Sequence, residues 1–323
     1  TTIWGGKYPA PANVGIEHEK SVCKWFDDQA KQKLATLGTD NEESRKQFHL
    51  TYAGAWQVVF DQGLPEEIEI EEFEQESQDD VRIRRIIVHD VARQARVPIL
   101  LLNKTGTKPD TSVVWTTGSG KDALFSDDGQ FNPSLKQLLN RNVSIVLPDL
   151  LGQGELRTAA ERADDTEQRT VDDERAYSAF TFGYNRTLVA ERCADLLAAV
   201  AFARKLETRT TNLLATAGSS AWAAPAAAIA GSSIARAAID TNAFRFSQVD
   251  QYRDPNFLPG AVKYGDLPML LALRAPHPLA VMGEKVMPAK ITEVYGSTND
   301  SKMLLHETGG LTSSVFQWLS PSR

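Results

Sequence analysis

The sequence predicts an α/β fold: a mostly parallel, doubly wound sheet carrying an N-terminal extension of helices and a β-ribbon. Three observations lead there. From Val97 to the end, short apolar runs alternate with helical periods and are joined by short turns, the pattern of strands and helices in a parallel sheet. Between Glu66 and Arg84 the apolar period is two, and before Gln62 it is 3.6. The expected division is therefore a helical extension over residues 1–64 and an α/β domain over 65–323.

In order, the chain opens with a polar arm, Thr1 to Asn13. A helix is expected over about 17–37, with Val22, Cys23, Phe26, Ala30, Leu34 and Leu37 on one face. A second, over about 42–62, aligns Phe48, Tyr52, Trp56, Val59 and Phe60, so the pair reads as an amphipathic hairpin packed on the main body. Glutamate alternates with Ile and Phe in EEIEIEEFE, and basic residues alternate with apolar ones in Val81-Arg82-Ile83-Arg84. An acidic strand beside a basic one makes an ion-paired ribbon with one apolar face, so the charge run is a solvated sheet face. VPILLL (97–102) continues the sheet, and Ser112 to Thr117 is a buried strand ending in a glycine turn. The letters GSGK at 118–121 lack the spacing of a phosphate loop, since Trp115 and Asp122 stand where Gly and Ser or Thr are required. A strand at 143–147 ends in PDLLGQGE, followed by a polar stretch between Arg157 and Tyr177 read as an exposed loop. Asn185 to Lys205 is an amphipathic helix with an Asn cap, facing Leu188, Cys193, Leu196, Leu197, Val200 and Phe202 inward.

The chain is organised around TNLLATAGSSAW (211–222). It reads as a buried strand, a small-residue turn and an Ala-rich helix from about Trp222, the layout of a nucleophile elbow with Ser220 in the serine's place. Only the first glycine of G-x-S-x-G is kept, Gly218, and Trp222 stands where the second belongs; a small-residue turn between strand and helix is the plainer reading. Strands at 234–239, 278–282 and 302–305 and a helix at 312–319 complete the pattern.

Composition excludes several classes. A net charge of -7 and a pI near 5.4 argue against nucleic acid. No apolar run could span a bilayer, and no signal peptide is visible. The missing initial Met fits a mature secreted or periplasmic form, or an excised fragment. Cys23 and Cys193 lack the neighbours of a zinc site or a disulfide framework and are expected to be buried. His18 and His49 are read as packing residues, His89-Asp90 as a turn pair and His277 as structural.

From about residue 97 to 319 the chain resembles the α/β-hydrolase superfamily, and more narrowly its bacterial acetyl xylan esterase-like branch. The resemblance rests on PDLLGQGE, on the elbow GSSAW (218–222), and on FLPGAVKYGDLP (257–268) leading into APHPLAVMGE (275–284). It implies an α/β-hydrolase fold and a catalytic triad in the order Ser, acid, His. Ser220 matches the nucleophile, Glu284 the acid after the penultimate strand, with Asp240 in reserve, and His306 the base after the last strand. The amide of Ala221 and one from the Thr117-Gly118 turn would form the oxyanion hole. No metal and no organic cofactor is implied, because a serine triad needs neither. Glu284 beside Lys285 also reads as a surface ion pair, and His306 as a cap of the closing turn.

Two functions from different classes follow. One is a serine esterase removing acetyl or similar acyl groups from polysaccharide, whose partners are an acylated carbohydrate or another small ester. The other is a non-catalytic, degenerate α/β-hydrolase-like domain with a structural or carbohydrate-binding role beside other domains of a larger chain, as the branch sometimes holds.

Overall fold

The computed structural model describes residues 15–36, 41–158, 182–296 and 303–320. Among them nine strands form one sheet in the order β1-β2-β3-β5-β4-β6-β7-β8-β9. The strands are β1 (Ile68–Gln78), β2 (Val81–Asp90), β3 (Ala95–Lys104), β4 (Thr111–Thr117), β5 (Ser144–Pro148), β6 (Thr210–Thr216), β7 (Arg236–Asp240), β8 (Leu279–Met282) and β9 (Leu304–Glu307). The first three run antiparallel to their neighbours, while β5, β4, β6, β7, β8 and β9 are parallel. The opening arm and most of the charged stretch after Arg157 lie outside the described residues.

The ion pairs of the expected ribbon form, but its single apolar face does not: Ile70 and Phe73 of β1 are 44% and 46% exposed, and a register shift interrupts the pairing between Glu72 and Gln75. Arg84 faces Glu72 at 3.5 Å, Arg85 pairs with Glu76, and His89 stands 3.3 Å from Glu71. Val81 and Ile83 are buried in one core and Ile86 and Val88 in the other, so the buried face of β2 switches midway along the strand. In the parallel strands other than the edge strand β9, both faces are buried. Val114, Val146, Leu213 and Ile239 point into one core, and Val113, Ile145, Leu214 and Ala238 into the other. That is why these strands read as unbroken apolar runs.

Helices cover both faces. α3 (Pro133–Leu139) and α8 (Ser313–Leu319) pack on one face. On the other lie α2 (Glu42–Phe60), α4 (Leu188–Lys205), α5 (Ser220–Ala230), α6 (Asp266–Ala272) and α7 (Ala289–Gly296). α4 begins after a Thr187 cap, two residues beyond the expected Asn185, and is buried nearly all round between the sheet and α5. α2 joins the main core through Phe48, Tyr52, Trp56 and Phe60, as its period suggests.

α1 (Ile16–Thr36) departs from expectation. It buries none of its side chains, leaving Val22 39% and Phe26 62% exposed; among the described residues of the expected face Leu34 packs partly against the core, and Leu37 lies outside the described residues. Cys23, expected to be buried, is exposed on this helix, whereas Cys193 is buried in α4; both are free thiols. Burial in apolar surroundings pushes the Cys193 thiol far up and leaves it inert.

Candidate functional site

The C-terminal edge of the parallel strands is where a site belongs in such a sheet. β6 lies at its centre, hydrogen-bonded to β4 and β7. The chain leaves it through Ala217 (φ 52) and Gly218 (φ 83), passes Ser219 (φ -87, ψ 4), and enters α5 at Ser220. A left-handed residue reverses the chain over the end of the strand, and an alanine there carries roughly 1 kcal/mol of strain. Loop β4 closes tightly over this turn. The Gly118 amide donates to the Ala217 carbonyl at 2.9 Å, and a Cβ on Gly118 would stand 2.2 Å from that oxygen.

This corrects the register of the elbow. The helix starts at Ser220 rather than Trp222, so Ser220 is its first residue and the strained tip is Ala217. Ser220 is 0% exposed, and its hydroxyl has no hydrogen-bond partner among the described residues. Ser219 is equally buried and donates to the carbonyls of Thr216 (2.8 Å) and Thr116 (3.1 Å). Trp222 is turned into the core; its indole N–H reaches the Thr116 hydroxyl at 3.2 Å, and the Arg192 guanidinium lies 4.8 Å over its ring. Of the expected oxyanion donors, Ala221 is buried in the first turn of α5, the Gly118 amide is bonded to Ala217, and the Thr117 hydroxyl donates to the Gly120 carbonyl at 2.5 Å.

The Ser220 hydroxyl makes no hydrogen bond to the expected acid or base. Glu284 is 4% exposed, and its carboxylate accepts the Thr241 hydroxyl at 2.7 Å and the fork of Arg245 at 2.7 and 3.0 Å. It is a structural pair, formed with Arg245 rather than Lys285. His306 lies inside β9, opposite Val281, instead of following the strand. With strands spaced about 4.8 Å apart, three spacings place β9 about 14 Å from β6. The His306 Nε2 stands 2.8 Å from the backbone carbonyl of Glu284, so the ring meets that residue's main chain and not its carboxylate. Beyond β9 the loop Thr308-Gly309-Gly310-Leu311 holds no imidazole. Asp240, at the end of β7, accepts the Asn242 amide at 3.0 Å and caps its own turn.

PDLLGQGE proves to be a clamp. Asp149, 0% exposed, accepts the amides of Lys121 and Glu155 at 2.9 Å each and pairs with the buried Lys121 ammonium, which also meets Glu155. Burial pulls the Lys121 pKa down, but the two carboxylates outweigh it and the net shift is upward. A Cβ at Gly154 would stand 2.1 Å from Asp149, which is why the second glycine is there. Gln153 ties this turn to the elbow loop, donating to the carbonyls of Thr117 (3.1 Å) and Gly118 (2.7 Å).

Six parallel strands with this crossover, three antiparallel strands before them, and a strained strand-to-helix turn at the centre settle the architecture. The chain has an α/β-hydrolase fold. Solved structures with the same fold include an acetyl xylan esterase candidate from Bacteroides fragilis, with TM-score 0.62 and 13% identity over 87% of this chain and 83% of its own. A glucuronoyl esterase from Solibacter usitatus matches with TM-score 0.54 and 12% identity, over 86% of this chain and 91% of its own. A methylesterase matches with TM-score 0.56 and 11% identity, over 92% of this chain and 67% of its own. No protein-family model and no curated protein matches the sequence.

The residue that sequence reasoning missed is Ala217. Centred on it, the elbow reads Ala215-x-Ala217-x-Ser219, with small residues flanking the tip as close packing of strand and helix demands. The signal was present, but a search anchored on a serine passes over an alanine. Among the described residues no cluster of His, Cys, Asp and Glu could hold a metal, and no helix is long and apolar enough to cross a membrane.

Proposed function

We propose that this chain is a non-catalytic α/β-hydrolase-fold domain, with a structural or carbohydrate-binding role beside other domains of a longer protein. One observation carries the proposal: the strained tip of the elbow, where the fold presents its nucleophile, is Ala217. A methyl group can neither attack an acyl carbon nor be activated by a base. Three further features support it. The Ser220 hydroxyl has no solvent path, the Glu284 carboxylate is saturated by Arg245 and Thr241, and the loop after β9 offers no base.

The second reading is an esterase acting on acylated carbohydrate. It is favoured by the fold shared with the acetyl xylan esterase candidate, the glucuronoyl esterase and the methylesterase. It requires Ser220 to emerge from the first turn of α5 and to find a base.

A fluorophosphonate reagent separates the two, since it labels only activated serines. The intact mass of the chain should stay unchanged after treatment. An adduct on Ser220 would overturn the non-catalytic reading and restore the esterase.

A further inference from the structure

The N-terminal edge of the same parallel strands has a different chemistry. Thr111, Thr210 and Arg236 open β4, β6 and β7 there, and with Arg141, Arg209 and Asn212 they line a cleft of about 680 Å³. That is the size of a small-molecule site. Arg209 is exposed and lies 3.5 Å from Asp110, which offsets its charge. Arg141 and Arg236 have no carboxylate partner among the described residues. The Arg141 Nε is buried without a hydrogen-bond acceptor. Arg236 is held in place by Trp318, whose carbonyl accepts from Nη1 at 2.5 Å and whose ring lies 5.2 Å beneath the guanidinium. Burial lowers its pKa with no carboxylate to counter it.

The floor of the cleft is polar and fixed. Asn212 accepts the Arg236 amide at 3.0 Å and donates to the Leu319 carbonyl at 2.6 Å. The Thr111 and Thr210 hydroxyls stand 3.0 Å apart, a pair that can both donate and accept. Past Arg209 the edge continues into a second cleft, of about 610 Å³, to which Arg82, Arg84 and Lys108 contribute. In a chain of net charge -7, this edge is a local reversal of sign.

We infer that the first cleft binds a small ligand bearing an oxyanion, a carboxylate or a phosphate, with the anion between Arg141 and Arg236 and its hydroxyls on the Thr111-Thr210 pair. A guanidinium presents two parallel N–H donors that match both oxyanions, and a partly desolvated one binds them more strongly. An acidic sugar and inorganic phosphate share this chemistry. The site lies at the opposite edge of the sheet from the elbow and does not depend on whether the elbow is active.

Isothermal titration of the full chain with glucuronate, inorganic phosphate and neutral glucose tests this. Saturable binding of glucuronate or phosphate, weakening with added salt, is expected, and glucose should give none; the anion that binds identifies the source. Arg141→Gln should weaken binding by about 10-fold or more, the loss of one charge-assisted contact. Arg236→Lys, which keeps the charge and removes the fork, should weaken it less, and it decides the matter if Arg141→Gln does not fold. Absence of saturable binding by either anion, equal binding of glucose, or wild-type affinity in the folded variants would overturn the assignment.

Discussion

The two edges of the parallel sheet differ in what their polar groups are doing. At the C-terminal edge nearly every one is spent on a neighbour. Asp149 holds two amides and an ammonium, Gln153 two carbonyls, Glu284 a hydroxyl and a guanidinium, and Ser219 two carbonyls. At the N-terminal edge Arg141 and Arg236 keep donors that no carboxylate among the described residues meets. A polar group whose capacity is exhausted inside the protein builds the fold, and one with capacity left is free to act on a ligand. By that measure the polar groups of the C-terminal edge, the buried Ser220 hydroxyl apart, build the fold, and those of the opposite edge keep capacity for a ligand.

The comparison breaks most readily at Asp149. If the C-terminal edge is a clamp, Asp149→Ala should leave the buried Lys121 ammonium with the exposed Glu155 as its one carboxylate and two amides without their acceptor, lowering the unfolding free energy in urea by about 3 kcal/mol. A loss below about 1 kcal/mol would show that the turn is not held this way.

Glu284→Gln sharpens the same point with a smaller effect. It removes the charge that Arg245 grips and should cost roughly 2 kcal/mol of stability. An acid that merely orients a catalytic imidazole would instead alter hydrolysis and leave stability near wild type.

Acidification tests the histidines that sequence reading took as packing groups. Burial lowers the pKa of His49 and, with Arg274 beside it, of His277. Below the ordinary imidazole value the unfolded chain then binds more protons than the folded one. Their contribution is therefore complete above about pH 6.5 and is lost as pH falls through the depressed folded values. The melting temperature should fall between pH 7 and 5, and a double variant with His49→Gln and His277→Gln should fall less steeply over the same range.

The smallest effect expected is a gain. Ala217→Gly relieves a left-handed alanine and should raise stability by about 0.5–1 kcal/mol in urea unfolding. A loss would mean that the tip methyl makes packing contacts that outweigh the strain.

Much of this fold was legible because its periods are clean. The apolar runs of β4, β5 and β6 specify their burial directly, whereas the alternation of β1 and β2 gives their ion pairs but not the switch of buried face between Ile83 and Ile86. α1 was misread because its apolar period is real but almost nothing packs against it, which a period alone cannot reveal. The site was harder for a different reason. A motif search ranks residues by chemical type, whereas the elbow is defined by backbone conformation, and at Ala217, with φ 52, the letters mark it only by the small residues on either side. His306 was displaced in the same way. A strand shifted two residues towards the C-terminus, Leu304–Glu307 instead of 302–305, turns a base in a loop into a member of an edge ladder.

The central claim is that Ala217, not Ser220, occupies the nucleophile's place. Hydrolysis of 4-nitrophenyl acetate and of acetylated xylan by the purified chain, beside its Ser220→Ala variant, tests it most directly. Both proteins should release product no faster than buffer alone. Hydrolysis by the wild-type chain that vanishes in Ser220→Ala, with the variant still folded, would contradict the account and return the serine to the centre of the site.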